Sequence, residues 1–152
     1  MPAFLYFAYG SNMLTSRLRE RCKSAQPVGV ATLPGYSLKW HKRSQDGSGK
    51  CDIVASDESA ALVHGVLFEI DSSQKSNLDR AEGLGHGYTQ ADFTVLRNLK
   101  AVKAIAYVAT DIDASLKPFD WYHDYVVDGA IEHGLPDAYI AALKAVETVQ
   151  SS

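Results

Sequence analysis

The chain has 152 residues, 46% of them apolar and 22% charged, with a net charge of −3 at pH 7. That length suits one domain, expected to run over 1–152 and to bury about two-thirds of its unfolded surface. The slight negative charge and scattered basic residues argue against nucleic acid or an anionic membrane as a partner, and no apolar run reaches transmembrane length.

Ala3 to Tyr9 is short, aromatic-rich and apolar on both faces, as a buried strand would be. No basic stretch precedes it and Gly10-Ser11-Asn12 ends it at once, so it reads as a first strand and not a signal peptide. Thr15 or Ser16 is placed to cap a short helix over 15–22, with Leu14, Leu18 and Cys22 along one side. Residues 27–42 alternate with Pro and Gly punctuation and suggest one or two strands, and 43–50 is a loop by composition.

Strands follow at 51–56 and 61–70, the second interrupted by Gly65. A helix over 73–82 opens after Asp71 or Ser72 and stops at Gly83, where GLGHG precludes regular structure. Residues 88–97 and 100–109 read as a hairpin turning at Asn98. Pro118 and Pro136 suit the first turns of two helices, the second running to 149. Strands followed by helices argue for an α+β fold.

Several motifs are set aside. GSGK at 47–50 lacks the upstream glycine and the strand-to-helix setting of a phosphate loop. GLGHG follows a helix where a dinucleotide motif follows a strand. The five histidines show no ligand spacing, so no metal is expected, and no GxSxG elbow is present. Cys22 and Cys51 are expected as reduced thiols of a cytoplasmic protein, with Cys22 packing inside.

Two features remain. YGSN at 9–12 joins a strand to a helix, where amides in a Gly-containing turn can converge on an anion at the positive end of the helix. On spacing alone, a plain connection with Asn12 in a left-handed conformation is the favoured reading. Glu82 ends a helix beside flexible backbone, against the helix dipole. It is either solvated or held as a carboxylate of raised pKa, and Asp79 and Glu69 compete on the same grounds.

Together, YFAYGSNM, LDRAEG, the GY at 87–88, AYVA and GAIEHGLPDAYIAAL resemble the gamma-glutamylcyclotransferase family over the whole chain, in order. The resemblance implies a small mixed β-barrel flanked by helices. It also implies a cofactor-free enzyme that cyclises a γ-glutamyl amide or amino acid, releasing 5-oxoproline and an amine or amino acid. In that scheme Glu82 is the general acid/base. Tyr6, Phe7, Ala8, Tyr9, Gly10, Ser11 and Asn12 bind substrate, with Asn12 holding the shape of the turn. Tyr107 and Tyr88 line the pocket. The implied partner is a small γ-glutamyl molecule, and a homodimer is compatible with the resemblance. A γ-glutamylamine cyclotransferase acting on γ-glutamyl-lysine, or a non-catalytic module binding γ-glutamyl-like ligands, are the alternatives. The loop at 43–50 is shorter and more polar than the resemblance implies, so the leaving group does not transfer.

Overall fold

AFLYFA forms strand β1 (Ala3–Ala8), whose Tyr6, Phe7 and Ala8 are all buried. In the computed structural model, which describes residues 2–150, a 3₁₀ turn (Ser11–Met13) and helix α1 (Thr15–Arg21) follow. Next come β2 (Gln26–Pro34), β3 (Tyr36–Arg43), β4 (Gly49–Ala55), β5 (Leu62–Asp71) and α2 (Lys75–Glu82). The chain continues through β6 (Tyr88–Arg97), β7 (Lys100–Ala109), α3 (Asp120–Glu132) and α4 (Asp137–Lys144).

The strands close a barrel in the order β1-β5-β2-β6-β7, and β3-β4 form a separate two-stranded sheet. All barrel pairs are antiparallel except the closing one, where β1 runs parallel to β7 at Tyr6 and Ile105. Closure leaves no open edge and explains why β1 is apolar on both faces. One face meets the barrel interior and the other is covered. Helices flank the barrel, giving the α+β architecture expected from the order of elements.

Gly65 does not interrupt its strand. A Cβ there would lie 2.5 Å from the Ala8 carbonyl oxygen and 2.7 Å from the Phe7 ring, so the missing side chain lets β1 approach β5. Residues 27–42 resolve into two strands that diverge at Gly35, and the loop expected at 43–50 shrinks because β4 already begins at Gly49.

Helix boundaries shift for identifiable reasons. Neither Thr15 nor Ser16 caps α1, since Leu14 occupies the N-cap. Glu132 of α3 does so instead, accepting from Thr15 N–H at 3.0 Å and from Thr15 Oγ1 at 2.6 Å. A carboxylate at the positive end of the helix is favourable there. Asp71 accepts from Ser73 N–H, and a 3₁₀ turn (Ser72–Gln74) precedes α2. Gly83, left-handed at φ 70°, ends α2. Pro118 and Pro136 lie just before α3 and α4, not within them. Helix α4 stops at Lys144, well short of 149, because Val149 exchanges backbone hydrogen bonds with Pro118 and Asp120 (both 3.0 Å).

Helix α3 packs directly onto the 3₁₀ turn. A Cβ at Gly129 would sit 2.6 Å from Leu14 N and 2.8 Å from Met13, so only glycine permits this contact. The turn after β1 is thereby clamped between the barrel and α3.

Candidate active site

The turn after β1 is right-handed. Met13 N–H donates to Gly10 O at 3.1 Å and Leu14 N–H to Ser11 O at 3.2 Å. Among the described residues, only Asn98 and Leu99 are non-glycines with positive φ, so the left-handed Asn12 does not occur. The amides of Ser11 and Asn12 precede the first closing bond and have no acceptor within the turn. Gly10 sits in a tight space, where a Cβ would lie 3.1 Å from Cys51 Cβ and 3.2 Å from the Tyr122 hydroxyl.

A cavity of about 30 Å³ opens at this turn. Its walls include Tyr6 from β1, Tyr9 just after it, Gly10, Ser11 and Asn12 from the turn, Glu82 from α2 and Tyr107 from β7. The carboxylate of Glu82 accepts from the Tyr6 hydroxyl at 3.3 Å and from Asn12 Nδ2. Asn12 Nδ2 also donates to Tyr6 Oη at 3.1 Å. Arg21 donates to Asn12 Oδ1 at 3.0 Å, and because a guanidinium only donates, it holds the amide with its NH₂ toward Glu82. Asn12 thus grips Glu82, beyond the turn-shaping role expected of it.

Burial pushes the Glu82 carboxyl above its ordinary range, opposed by Arg21, the Tyr6 hydrogen bond, Arg17 and Lys42. Burial also holds the phenols of Tyr6, Tyr9, Tyr88 and Tyr122 well above theirs. They remain neutral hydroxyls able to donate and accept. The Cys51 thiol is pushed up to about 12, chiefly by burial, and stays protonated.

Each expected site residue has a definite place. Tyr6, Tyr9, Gly10, Ser11, Asn12, Glu82, Tyr88 and Tyr107 line the cavity. Phe7 and Ala8 do not: both are fully buried in the core, and strand alternation turns Phe7 away from the face that Tyr6 presents. Tyr107 donates to Asp79 Oδ1 at 2.5 Å, and Tyr9 donates to the Tyr107 carbonyl. Of the competing acids, Asp79 therefore anchors Tyr107 and pairs with Lys75, while Glu69 is exposed on β5. Tyr88 donates to the Cys51 carbonyl at 2.6 Å, and Tyr122 accepts from Cys51 N–H at 3.0 Å.

Cys51 and Tyr122 were not anticipated as lining residues, and no local pattern marks them. Outside the cavity lies a wider vestibule of about 220 Å³, sharing the Ser11, Asn12 and Glu82 wall and lined by Arg17, Arg21, Lys42 and Lys50. For the arginines a signal exists: they stand four apart on α1, directly after the turn. Among the described residues, no cluster of three or more His, Cys, Asp or Glu side chains is arranged to hold a metal, and no helix is long and apolar enough to cross a membrane.

A closed mixed barrel with one half-buried carboxylate in its cavity, held by hydroxyl and amide donors, defines a small-molecule pocket suited to proton transfer. An AIG2-like family model matches residues 62–143. Gamma-glutamylcyclotransferase from Mus musculus is 35% identical over 153 residues, covering 95% of this chain and 79% of the mouse protein. The Homo sapiens protein of the same name is 34% identical over 151 residues, with the same coverage. A solved gamma-glutamyl cyclotransferase structure superposes with a TM-score of 0.91 at 32% identity, covering 99% of this chain and 92% of that one. The chain belongs to the gamma-glutamylcyclotransferase family.

Proposed function

We propose that this protein is a γ-glutamylcyclotransferase that converts a γ-glutamyl amide or amino acid into 5-oxoproline and a free amine or amino acid, with Glu82 as general acid/base. The observation that carries this reading is a single half-buried carboxylate, held by Tyr6 and Asn12 in a cavity otherwise lined by uncharged groups. A carboxyl group raised above its ordinary range by desolvation holds a proton more readily than a free glutamate does, as a general acid/base must.

The reaction requires the substrate's α-ammonium to lose a proton before its nitrogen can attack the γ-carbonyl carbon of the same molecule. Glu82 accepts that proton. The new C–N bond closes a five-membered ring, and the γ-carbonyl oxygen takes up negative charge. The amides and side chains of the turn at 10–12 are the nearest donors for that oxygen or for the glutamyl carboxylate. Collapse breaks the original amide bond, and Glu82 returns the proton to the departing nitrogen. No water is consumed and no cofactor is called for. Holding the glutamyl chain curled supplies much of the rate, because attack within one molecule has a high effective concentration.

Tyr6, Tyr9 and Tyr107 would then shape the glutamyl pocket and Tyr88 its outer rim. Cytoplasmic location, a role in glutathione metabolism, a homodimer and organisation as one domain go with this reading as expectations from the resemblance. Incubation with a panel of γ-glutamyl dipeptides and γ-glutamyl-lysine should yield 5-oxoproline from at least one. Binding without any product across the panel would overturn catalysis.

A further inference from the structure

We infer that the vestibule outside Glu82 selects acidic leaving groups: γ-glutamyl compounds whose released amino acid carries a second, side-chain carboxylate. The inference rests on the cyclotransferase reading and adds to it which departing group the site prefers.

Arg17, Arg21, Lys42 and Lys50 all line this one space, which shares the Ser11, Asn12 and Glu82 wall with the inner cavity. A leaving group bonded to the γ-carbonyl beside Glu82 has to extend into it. The four cations are held in place, three of them without an ion pair among the described residues. Arg17 Nε donates to Ser11 Oγ at 3.0 Å, and its guanidinium lies 4.5 Å from the Tyr125 ring centroid. Arg21 is fixed on Asn12. The Lys42 ammonium lies 4.7 Å from the Tyr88 ring centroid, and that of Lys50 lies 4.2 Å from those of Trp121 and Tyr122. Among the described residues Arg17, Arg21 and Lys42 have no carboxylate within 4.0 Å, and Lys50 reaches only Asp46, at 3.9 Å.

The charge balance decides what fits. In a γ-glutamyl dipeptide the glutamyl carboxylate and ammonium belong to the inner cavity. Glu82 on the shared wall and Asp46 beside Lys50 set two carboxylates against the four cations; a leaving amino acid with a neutral side chain adds one more, and a dicarboxylic one adds two. Lys50, with a side chain only 14% exposed, is driven down to about 8 by burial, with Arg17 and Lys42 adding to the shift. Such crowding of partly desolvated cations is relieved by bound anions. A cationic leaving group would meet the same charges as repulsion.

The test compares isosteric pairs at matched ionic strength: γ-Glu-Glu with γ-Glu-Gln, and γ-Glu-Asp with γ-Glu-Asn. The acidic member of each pair should have the higher kcat/KM for 5-oxoproline release, by about tenfold. Lys42→Met should cut that ratio to about threefold or less, and Lys42→Arg should keep it, since charge and not packing sets the preference. Equal kcat/KM within each pair, or a ratio unchanged in both Lys42→Met and Lys50→Met, would overturn the inference. If neither these pairs nor the wider panel with γ-glutamyl-lysine yields 5-oxoproline, the cyclotransferase reading itself fails. Calorimetry on the same pairs then still decides the vestibule, and equal affinities would refute its preference for acid.

Discussion

The inner cavity and the outer vestibule share a wall but are built on opposite principles. The cavity is made of uncharged hydroxyls, amides and one carboxylate, drawn from β1, the 3₁₀ turn, α2, β4, β6, β7 and α3. Its groups are tied to one another: Arg21 orients Asn12, Asn12 and Tyr6 hold Glu82, and Asp79 holds Tyr107. The vestibule is made of long cationic side chains resting on aromatic faces, with few direct partners. Buried networks are rigid because an unsatisfied group there is costly, whereas long cations adjust to what arrives. One region thus suits a fixed glutamyl group and the other a variable leaving group.

The largest break in that division should come from Glu82→Gln. It keeps an acceptor for Tyr6 and Asn12 but cannot exchange a proton, so 5-oxoproline release should fall by about 10³-fold while the folded spectrum is retained. Near-normal turnover would remove Glu82 from the chemistry. Tyr6→Phe deletes one donor to the carboxylate and should cost about 10- to 100-fold in kcat, read by steady-state kinetics on one γ-glutamyl dipeptide.

Gly129→Ala tests the shared wall from behind. Its methyl must displace the backbone at Met13 and Leu14, so it should destabilise by about 1–3 kcal/mol in denaturant unfolding and lower activity as the turn shifts.

The smallest effect is in pH dependence. Burial raises the folded-state pKa of Glu82 above its unfolded value, so between the two the folded state holds the extra proton. This contribution is fully present below the unfolded pKa and is lost as pH rises through the folded one. Glu82→Gln lacks that loss. Its melting temperature should therefore gain on that of the original protein as pH rises from the ordinary glutamate range toward neutrality, and a constant difference would mean that the carboxylate is not desolvated.

Most of the fold was legible along the chain. The aromatic first strand, the 88–97 and 100–109 hairpin and the α+β order all follow from local periodicity and turn chemistry, which act between near neighbours. What misled was tertiary in origin. Gly65 looked like a strand breaker, but its missing Cβ is what admits β1. Thr15 looked like an N-cap, yet α3 supplies the capping carboxylate from Glu132. Phe7 and Ala8 belong to the motif stretch but face the core.

By itself the sequence determined the elements, the candidate turn at 9–12 and the candidate acid at 82, because propensity, capping and patterning are short-range. Only the tertiary structure decided that Asn12 and Tyr6 grip Glu82 across 70 and 76 residues, and that Arg17, Arg21, Lys42 and Lys50 surround one space. Barrel closure and the seating of α3 on the turn bring those groups together, and a buried carboxylate acquires its raised pKa only once water has been removed from around it.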